Sequence, residues 1–93
     1  MKLVWSNRFT RAAKKLSRRK PSLLRELERA LAQMEVDPYH PALRAHKLSG
    51  DMEGVWACSA GYDFRVIFEF VRNPSTREKE VHLLSVGTHD EVY

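Results

Sequence analysis

Hydrophobic positions recur at two different periods along the chain. Up to about residue 36, apolar residues mostly follow the 3.6-residue period of an amphipathic helix. Ser6 is a suitable N-cap because its hydroxyl can accept a hydrogen bond from a free amide of the first turn, and Pro21 suits the first turn of a second helix. The pattern predicts helices over about 7–19 and 21–36, whose short connection makes them an antiparallel hairpin.

The other segments alternate apolar and polar residues, as half-buried strands do. The predicted strands cover residues 2–5, 45–48, 55–60, 61–70 and 80–86. Gly87 is expected to end the last strand, and the short turns between the late strands favour antiparallel pairing. The order β-α-α-β-β-β, with 45–48 as an optional further strand, predicts one α+β domain over 1–93, in which the two-helix hairpin packs on one face of a small, mainly antiparallel sheet.

The strand over 61–70 has two unlike faces. The face suited to packing against helices contains Tyr62, Phe64, Val66, Phe68 and Phe70. The opposite face contains Asp63, Arg65, Ile67 and Glu69. In the last strand, alternation sets Val81, Leu83 and Ser85 against His82, Leu84 and Val86. Asp63 and Arg65 form either a structural salt bridge or the floor of a polar site, and we favour the site because it lies on the sheet face that the helices leave open.

The charge distribution is uneven. The chain has 16 Lys and Arg against 12 Asp and Glu, a net charge of +4, and 43% hydrophobic residues. Residues 1–20 contain no acid and eight bases: Lys2, Arg8, Arg11, Lys14, Lys15, Arg18, Arg19 and Lys20. A positive field on one element attracts phosphate-rich partners, although a solvated helix face has the same composition.

Cysteine and histidine usage restricts the chemistry. Cys58 is the only cysteine of the sequence, so no internal disulfide can form, and the chain fits a reducing compartment. The N-terminus lacks the apolar run of a secretory signal, and no stretch is long enough for a membrane span, so we expect a cytoplasmic protein without membrane contact. The histidine and cysteine spacing is not that of a metal site, so no metal or other cofactor is expected. Cys58 is expected to be buried, and His40 and His82 to lie on the surface.

Several motifs in a fixed order carry a family resemblance. They are His46-Lys-Leu-Ser-Gly, Gly54-Val-Trp-Ala-Cys, Gly61-Tyr-Asp-Phe-Arg-Val-Ile-Phe and the tail Gly87-Thr-His-Asp-Glu-Val-Tyr. Together they resemble the RelE/ParE superfamily of type II toxin–antitoxin toxins, and the YafQ-like branch in particular. The resemblance implies a RelE-like fold and a ribosome-dependent endoribonuclease that cuts messenger RNA in the ribosomal A site without a metal. It also implies a cognate antitoxin, through which alone the protein would contact operator DNA.

The resemblance also implies site residues. His46, Asp63 and His89 match site residues of the YafQ-like branch, Tyr93 stands where that branch ends with an aromatic residue, and Arg65 matches a phosphate-binding arginine of the RelE branch. This sequence departs from the branch at three positions, where histidine, tryptophan and arginine are replaced by Ser59, Phe64 and Ser85.

Cleavage of RNA by its own 2′-hydroxyl needs a base, a cation near the phosphorus oxygens and an acid for the leaving oxygen. We expect His89 to be the acid, and His46 to be the base or a phosphate contact. Arg65 would stabilise the transition state. Asp63 would orient a histidine or act as the base, and Tyr93 would stack on a nucleobase or donate to phosphate. We expect these side chains to converge on the open sheet face. The residues expected to contact RNA or the ribosome are Arg11, Lys14, Lys15, Arg18, Arg19 and Lys47.

Two other functions fit the same scaffold. One is a ParE-like inhibitor of DNA gyrase, which needs no acid–base set. The other is a catalytically degenerate module that only binds its antitoxin, an alternative kept open by the replacements at Ser59 and Ser85.

Overall fold

The computed structural model describes residues 1–50, 54–61 and 63–92, which form helices packed on a five-stranded mixed sheet. In chain order the elements are β1 (Leu3–Trp5), α1 (Asn7–Arg19), α2 (Ser22–Val36), a 3-10 helix (Pro41–Leu43), β2 (His46–Lys47), β3 (Trp56–Ala60), β4 (Phe64–Arg72), β5 (Lys79–Thr88) and α3 (His89–Val92). The strand order across the sheet is β1-β5-β4-β3-β2. Only the β1–β5 pair is parallel among these strands, so the predicted α+β class with a mainly antiparallel sheet is confirmed.

The two long helices form as the sequence pattern predicts. The Ser6 hydroxyl accepts a hydrogen bond from the Phe9 amide at 3.0 Å, which caps α1. Pro21 is the N-cap of α2 rather than its first residue. The longest helix, α2, has 15 residues, and no helix in the described part of the chain has both the length and the apolarity to cross a membrane.

The core lies between the α1–α2 hairpin and one face of the sheet. Its largest fully buried side chains are Phe9, Phe68, Met34, Leu83, Val66, Val81 and Cys58. Full burial of one large apolar side chain contributes about 1.5–3 kcal/mol, so this layer dominates the stabilisation of the fold. The predicted aromatic face of β4 is confirmed for Phe64, Val66 and Phe68, while Tyr62 lies outside the described residues.

Strand β5 departs from the prediction in two ways. It does not end at Gly87 but continues to Thr88. In its pairing with β4, Ile67 is opposite Ser85 and Phe68 is opposite Leu83, so Leu84 is an extra residue that forms a bulge. Relative to strict alternation, the bulge moves the side chains after Leu84 to the other face of the sheet. Val86 is therefore in the core and Ser85 is on the opposite face, and the simple alternation predicted for 80–86 is wrong beyond Leu84.

The second sheet face is less bare than expected. The tail, for which no helix was predicted, forms α3. A Cβ on Gly87 would lie 3.1 Å from both Glu91 Cβ and Val92 Cγ1, so glycine allows α3 to pack closely against β5. Ala57 and Ile67 of this face are also buried. Among the described residues of this face, the half-buried polar side chains include Ser59 and Arg65 near the β3–β4 turn and Glu69 and His82 toward the β4–β5 hairpin.

Candidate functional site

Two clefts flank the turn between β3 and β4. Gly61 of this turn lines one cleft, and Asp63 lines the other. Gly61 has a φ of 68°, and a Cβ there would overlap the Glu26 carboxylate of α2. Glycine therefore allows both the backbone conformation and the close approach of α2 to the turn.

The first cleft, of about 440 Å³, lies where the end of α1, the start of β4 and the start of α3 meet. Its polar lining consists of Arg19, Lys20, Asp63, Thr88, His89 and Asp90. The side chain of His89 is 69% exposed, and its Nδ1 lies 3.7 Å from Asp90 Oδ1. The cleft thus places a solvent-accessible imidazole beside two carboxylates, Asp63 and Asp90, and two cations, which is a set able to transfer protons.

Local sequence positions α3 and with it His89. The Thr88 amide donates to Glu91 Oε1 at 3.1 Å, and the Glu91 amide donates to Thr88 Oγ1 at 3.3 Å. This reciprocal pair is a capping box. Arg19 Nη1 also donates to Glu91 Oε2 at 3.1 Å, which ties α1 to α3. Hydrogen bonds from Thr88, and then the charge of Arg19, hold the pKa of Glu91 below its ordinary value.

The second cleft, of about 580 Å³, is lined by two arginines and a serine, together with two small residues: Arg44, Ser59, Arg65, Ala42 and Gly61. Ser59 is opposite Arg65 in the β3–β4 pairing, and Arg65 is opposite Gly87 in the β4–β5 pairing. Since paired residues point to the same side of a sheet, Ser59 and Arg65 form one row on the second face.

Arg65 is half-buried and has little bonding within the fold. Its Nη1 donates to the carbonyl oxygen of Phe64 at 3.0 Å. Within the described ranges it forms no ion pair, neither with Asp63 nor with another carboxylate. The alternative interpretation of Asp63 and Arg65 as a structural salt bridge is therefore wrong. Asp63 lies in the turn before β4 and lines the other cleft.

His46 lies in the neighbouring row of the second face, opposite Ala57. Its Nδ1 is 3.0 Å from the carbonyl oxygen of Arg44. A carbonyl oxygen can only accept, so Nδ1 carries the proton and Nε2 of the neutral ring has a free lone pair. Arg44 has a positive φ of 52°, an uncommon conformation for arginine. This backbone conformation directs the Arg44 carbonyl to the imidazole.

The predicted catalytic side chains are divided between the two clefts. Asp63 and His89 line the first cleft and Arg65 lines the second, with His46 in the adjacent row. The expectation that all of them converge on one open face is not met, because Asp63 precedes the strand and His89 begins a helix beyond the sheet. Tyr93 lies outside the described residues.

The predicted RNA-binding residues also lie on different surfaces. Those on α1 are exposed: Arg11, Lys14, Lys15, Arg18 and Arg19. Arg19 is the member that lines the first cleft. Lys47 is opposite Trp56, and its Nζ lies 5.7 Å from the centroid of that ring. Lys47 therefore points to the helix side of the sheet, away from the face that carries His46.

The remaining histidines and the cysteine have structural surroundings. His40 Nδ1 accepts a hydrogen bond from the Ala42 amide at 3.1 Å and caps the 3-10 helix. His40 and His82 are both half-buried rather than freely exposed, and His82 Nε2 lies 3.3 Å from Glu80 Oε1. Cys58 is fully buried, as predicted, with Sγ 3.8 Å from Met34 Sδ. Burial raises the pKa of the Cys58 thiol to about 12.

Sequence reasoning missed Arg44, which lines the second cleft and contacts His46. Arg44 ends the 3-10 helix, and the pairing of His46 with Ala57 two residues later brings it to the same cleft as Ser59. That pairing depends on a partner strand, so the local pattern around Arg44 does not reveal it. Two positions at which this sequence departs from the family resemblance, Ser59 and Ser85, also have different surroundings. Ser59 lines this cleft, whereas Ser85 is opposite Ile67.

Comparisons with known proteins agree with the fold. A family model described as a bacterial toxin of the type II toxin–antitoxin system, YafQ, matches residues 1–93. No curated protein matches the sequence. YafQ from E. coli strain BL21(DE3) superposes with a TM-score of 0.76 at 15% identity, covering 98% of this chain and 96% of that chain.

Two further solved structures extend the comparison. A YoeB/ParE toxin from Agrobacterium tumefaciens gives a TM-score of 0.75 at 19% identity, covering 96% of this chain and 99% of that chain. A chain of the E. coli DinJ-YafQ complex gives a TM-score of 0.68 at 18% identity, covering 98% of this chain and 96% of that chain. At identities this low, the superpositions establish the fold alone. The assignment to a family rests on the family model that matches the whole sequence.

Proposed function

This chain belongs to the YafQ family of bacterial toxins of type II toxin–antitoxin systems, and we propose that it is a metal-independent endoribonuclease that cleaves messenger RNA on the ribosome. The observation that supports this proposal most directly is the composition of the two clefts. An imidazole and two carboxylates share one cleft with two cations, and an arginine without a carboxylate partner among the described residues lines the other.

The reaction divides into one bond formed and one bond broken. The ribose 2′-oxygen attacks the adjacent phosphorus and loses its proton to a base, while the bond from phosphorus to the 5′-oxygen breaks and that oxygen gains a proton from an acid. The products are a 2′,3′-cyclic phosphate and a 5′-hydroxyl. A histidine can supply either proton-transfer role near neutral pH.

The surroundings of each side chain favour particular roles. His46 suits the base because its Nε2 lone pair is free in the tautomer that the Arg44 carbonyl selects. His89, which is largely exposed, suits the acid, and Asp63 in the same cleft suits a carboxylate that orients an imidazole or acts as a base. Arg65 suits stabilisation of the negative charge that develops on the phosphorus oxygens. Because Asp63 and His89 line one cleft and Arg65 lines the other, with His46 in the adjacent row, the RNA strand would lie over the β3–β4 turn.

The exposed basic residues of α1 suit a contact with ribosomal RNA phosphates. Such a contact releases counterions, so we expect ribosome binding to weaken steeply with added salt. We propose the cytoplasm as the place of action and a cognate antitoxin as the partner, as in the DinJ-YafQ complex. The antitoxin would bind the helix hairpin or add a strand at the sheet edges, β1 and β2. Operator DNA would be reached only through the antitoxin.

The test is cleavage of a defined transcript in a reconstituted translation reaction. We expect wild-type protein to cut the transcript on the ribosome and His89→Ala to cut it about 100-fold more slowly. The matched control is His40→Asn, which keeps an acceptor at the cap of the 3-10 helix and should cleave at the wild-type rate. Intact transcripts with folded wild-type protein would contradict the proposed function.

One observation favours a different function. The predicted catalytic residues line two clefts, and Ser59 occupies the second cleft where the resemblance places a histidine. A toxin fold that binds its antitoxin without cleaving RNA would have such a divided set. Harmless overexpression without the antitoxin, together with tight antitoxin binding, would support this alternative, whereas inhibition of DNA supercoiling without RNA cleavage would support a gyrase inhibitor.

A further inference from the structure

We propose that Arg44 is a further RNA-binding residue, which completes with Arg65 and Ser59 a subsite for a backbone phosphate. The proposal rests on the function proposed above, and it adds Arg44 to the residues that contact the substrate. The three side chains line one cleft of about 580 Å³ on the second face of the sheet. The ligand is defined by its chemistry, a phosphate group carried by a polynucleotide.

Strand pairing and the end of the 3-10 helix bring the three residues to one cleft. Ser59 is opposite Arg65 in the β3–β4 ladder. His46 is opposite Ala57 in the antiparallel β2–β3 ladder, and Arg44, two residues before His46, ends the 3-10 helix and lines the same cleft as Ser59. The cleft is therefore lined by two arginines and a serine. Two guanidiniums can grip the oxygens of one phosphate from both sides, and the hydroxyl can donate a further hydrogen bond.

The charge in this cleft is not compensated within the described part of the fold. Neither Arg44 nor Arg65 forms an ion pair with any described carboxylate. Glu26 lies against Gly61 and lines an adjoining cleft that shares Ser59, yet it pairs with neither arginine. Arg65 is half-buried and donates one hydrogen bond to its neighbour's carbonyl. Two cations lining one cleft repel each other, so an anion between them is favoured.

The subsite is also joined to the proposed base. The Arg44 carbonyl lies 3.0 Å from His46 Nδ1, and the Arg44 side chain lines the cleft. A phosphate held by Arg44 would therefore lie one strand row from His46. Arg44 would act both as a binding residue, through its guanidinium, and as a positioning residue, through its backbone.

Binding can be measured without cleavage. We would titrate isotope-labelled protein by NMR with inorganic phosphate and, separately, with an uncleavable oligodeoxynucleotide. The variants are Arg44→Gln and Arg65→Gln. The matched control is Arg77→Gln, because Arg77 is also exposed with a positive φ, of 63°, but follows β4 at the other end of the sheet.

We expect each cleft variant to weaken binding of both ligands about tenfold and the control to change it less than twofold. In the wild type, phosphate should shift the His46 ring resonances, whereas in Arg44→Gln this shift should be lost.

Equal effects of Arg44→Gln and Arg77→Gln would overturn the subsite. An Arg44 effect on inorganic phosphate but not on the oligonucleotide would overturn RNA as its ligand. Thermal unfolding of each variant verifies folding, and Arg44→Lys, which restores the charge, should recover part of the affinity.

Failure of the subsite and failure of the proposed function give different results. If the wild type does not cleave messenger RNA but both cleft variants lose oligonucleotide binding, the proposed function fails and the subsite is supported. If the wild type cleaves and Arg44→Gln binds and cleaves like Arg77→Gln, the subsite fails and the proposed function is supported.

Discussion

The two ends of the sheet carry similar side chains in different surroundings. Near the β4–β5 hairpin, Glu80 is only 7% exposed, and its carboxylate accepts a hydrogen bond from Asn73 at 3.1 Å and contacts His82 at 3.3 Å. Lys2 Nζ lies 3.9 Å away. Near the β3–β4 turn, Arg65 is half-buried and has no ion pair with a described carboxylate.

The difference shows how to separate structural from functional polar residues. A charge whose hydrogen bonds are completed inside the fold contributes to stability, and it has little capacity left for a ligand. A half-buried charge with unused donors gains most when a ligand arrives. His82 and Arg65 are both partly buried on the second face, but only Arg65 retains most of its donors.

The largest expected effect is on activity at the turn end. Arg65→Gln should slow RNA cleavage about 100-fold, because a cation near the phosphorus oxygens stabilises the transition state. It should change the free energy of unfolding by no more than about 0.5 kcal/mol, since no ion pair is lost. Single-turnover cleavage and urea denaturation measure the two quantities.

Arg72→Gln is the matched control, since Arg72 is the last residue of the same strand, β4, at the other end of the sheet. Its cleavage rate should equal that of the wild type. A loss of stability in Arg65→Gln as large as the loss of activity would mean that Arg65 is structural and would remove the contrast between the two ends.

The opposite result is expected at the hairpin end. Glu80→Ala removes the acceptor shared by Asn73 and His82 and leaves both without their partner. We expect the midpoint of thermal unfolding to fall by about 5 °C, with no change in cleavage rate per folded molecule. The exposed Glu78→Ala is the control, and a midpoint unchanged in Glu80→Ala would contradict the structural role.

Acid titration distinguishes the two glutamates from ordinary surface carboxylates. Glu80 has its pKa lowered by hydrogen bonds from Asn73 and His82, and Glu91 has its pKa lowered by hydrogen bonds from Thr88. A lowered folded-state pKa means that the ionised form stabilises the fold, so the contribution is complete above the unfolded value of about 4.3 and is lost as the pH falls through the lowered values. The free energy of unfolding should therefore fall from about pH 5 to pH 3.

The double variant Glu80→Gln/Glu91→Gln tests whether these two glutamates cause the loss of stability in acid. Its free energy of unfolding should depend less on pH over the same range than that of the wild type. Denaturant unfolding at several pH values measures the slope, and an unchanged slope would show that other carboxylates cause the acid sensitivity.

The smallest expected effect concerns the core between the two ends. Cys58 is buried and the pKa of its thiol is raised to about 12 by burial, so almost no thiolate exists at neutral pH. We expect native protein to react negligibly with a thiol-specific chromogenic reagent at pH 7 and to react fully in denaturant. Because the chain has one cysteine, the signal is specific, and fast labelling of the native protein would contradict the buried position.

The sequence by itself determined the elements whose signals are local. Helices α1 and α2 follow from apolar spacing and from Ser6 and Pro21, whose effects act within one helical turn. The capping box of Thr88 and Glu91 is equally local and could have predicted α3. The aromatic face of β4 was also readable, because alternation within one strand needs no knowledge of its partner.

Only the tertiary structure decided what depends on a partner strand. The bulge at Leu84 arises from the β4–β5 pairing and exchanges the faces of Ser85 and Val86. The separation of Asp63 from Arg65, and the presence of Arg44 in the same cleft as Ser59, likewise depend on turns and on contacts between distant segments. These are contacts between residues distant in the chain, and a strand's own pattern specifies which side chains share a face but not which neighbours they meet.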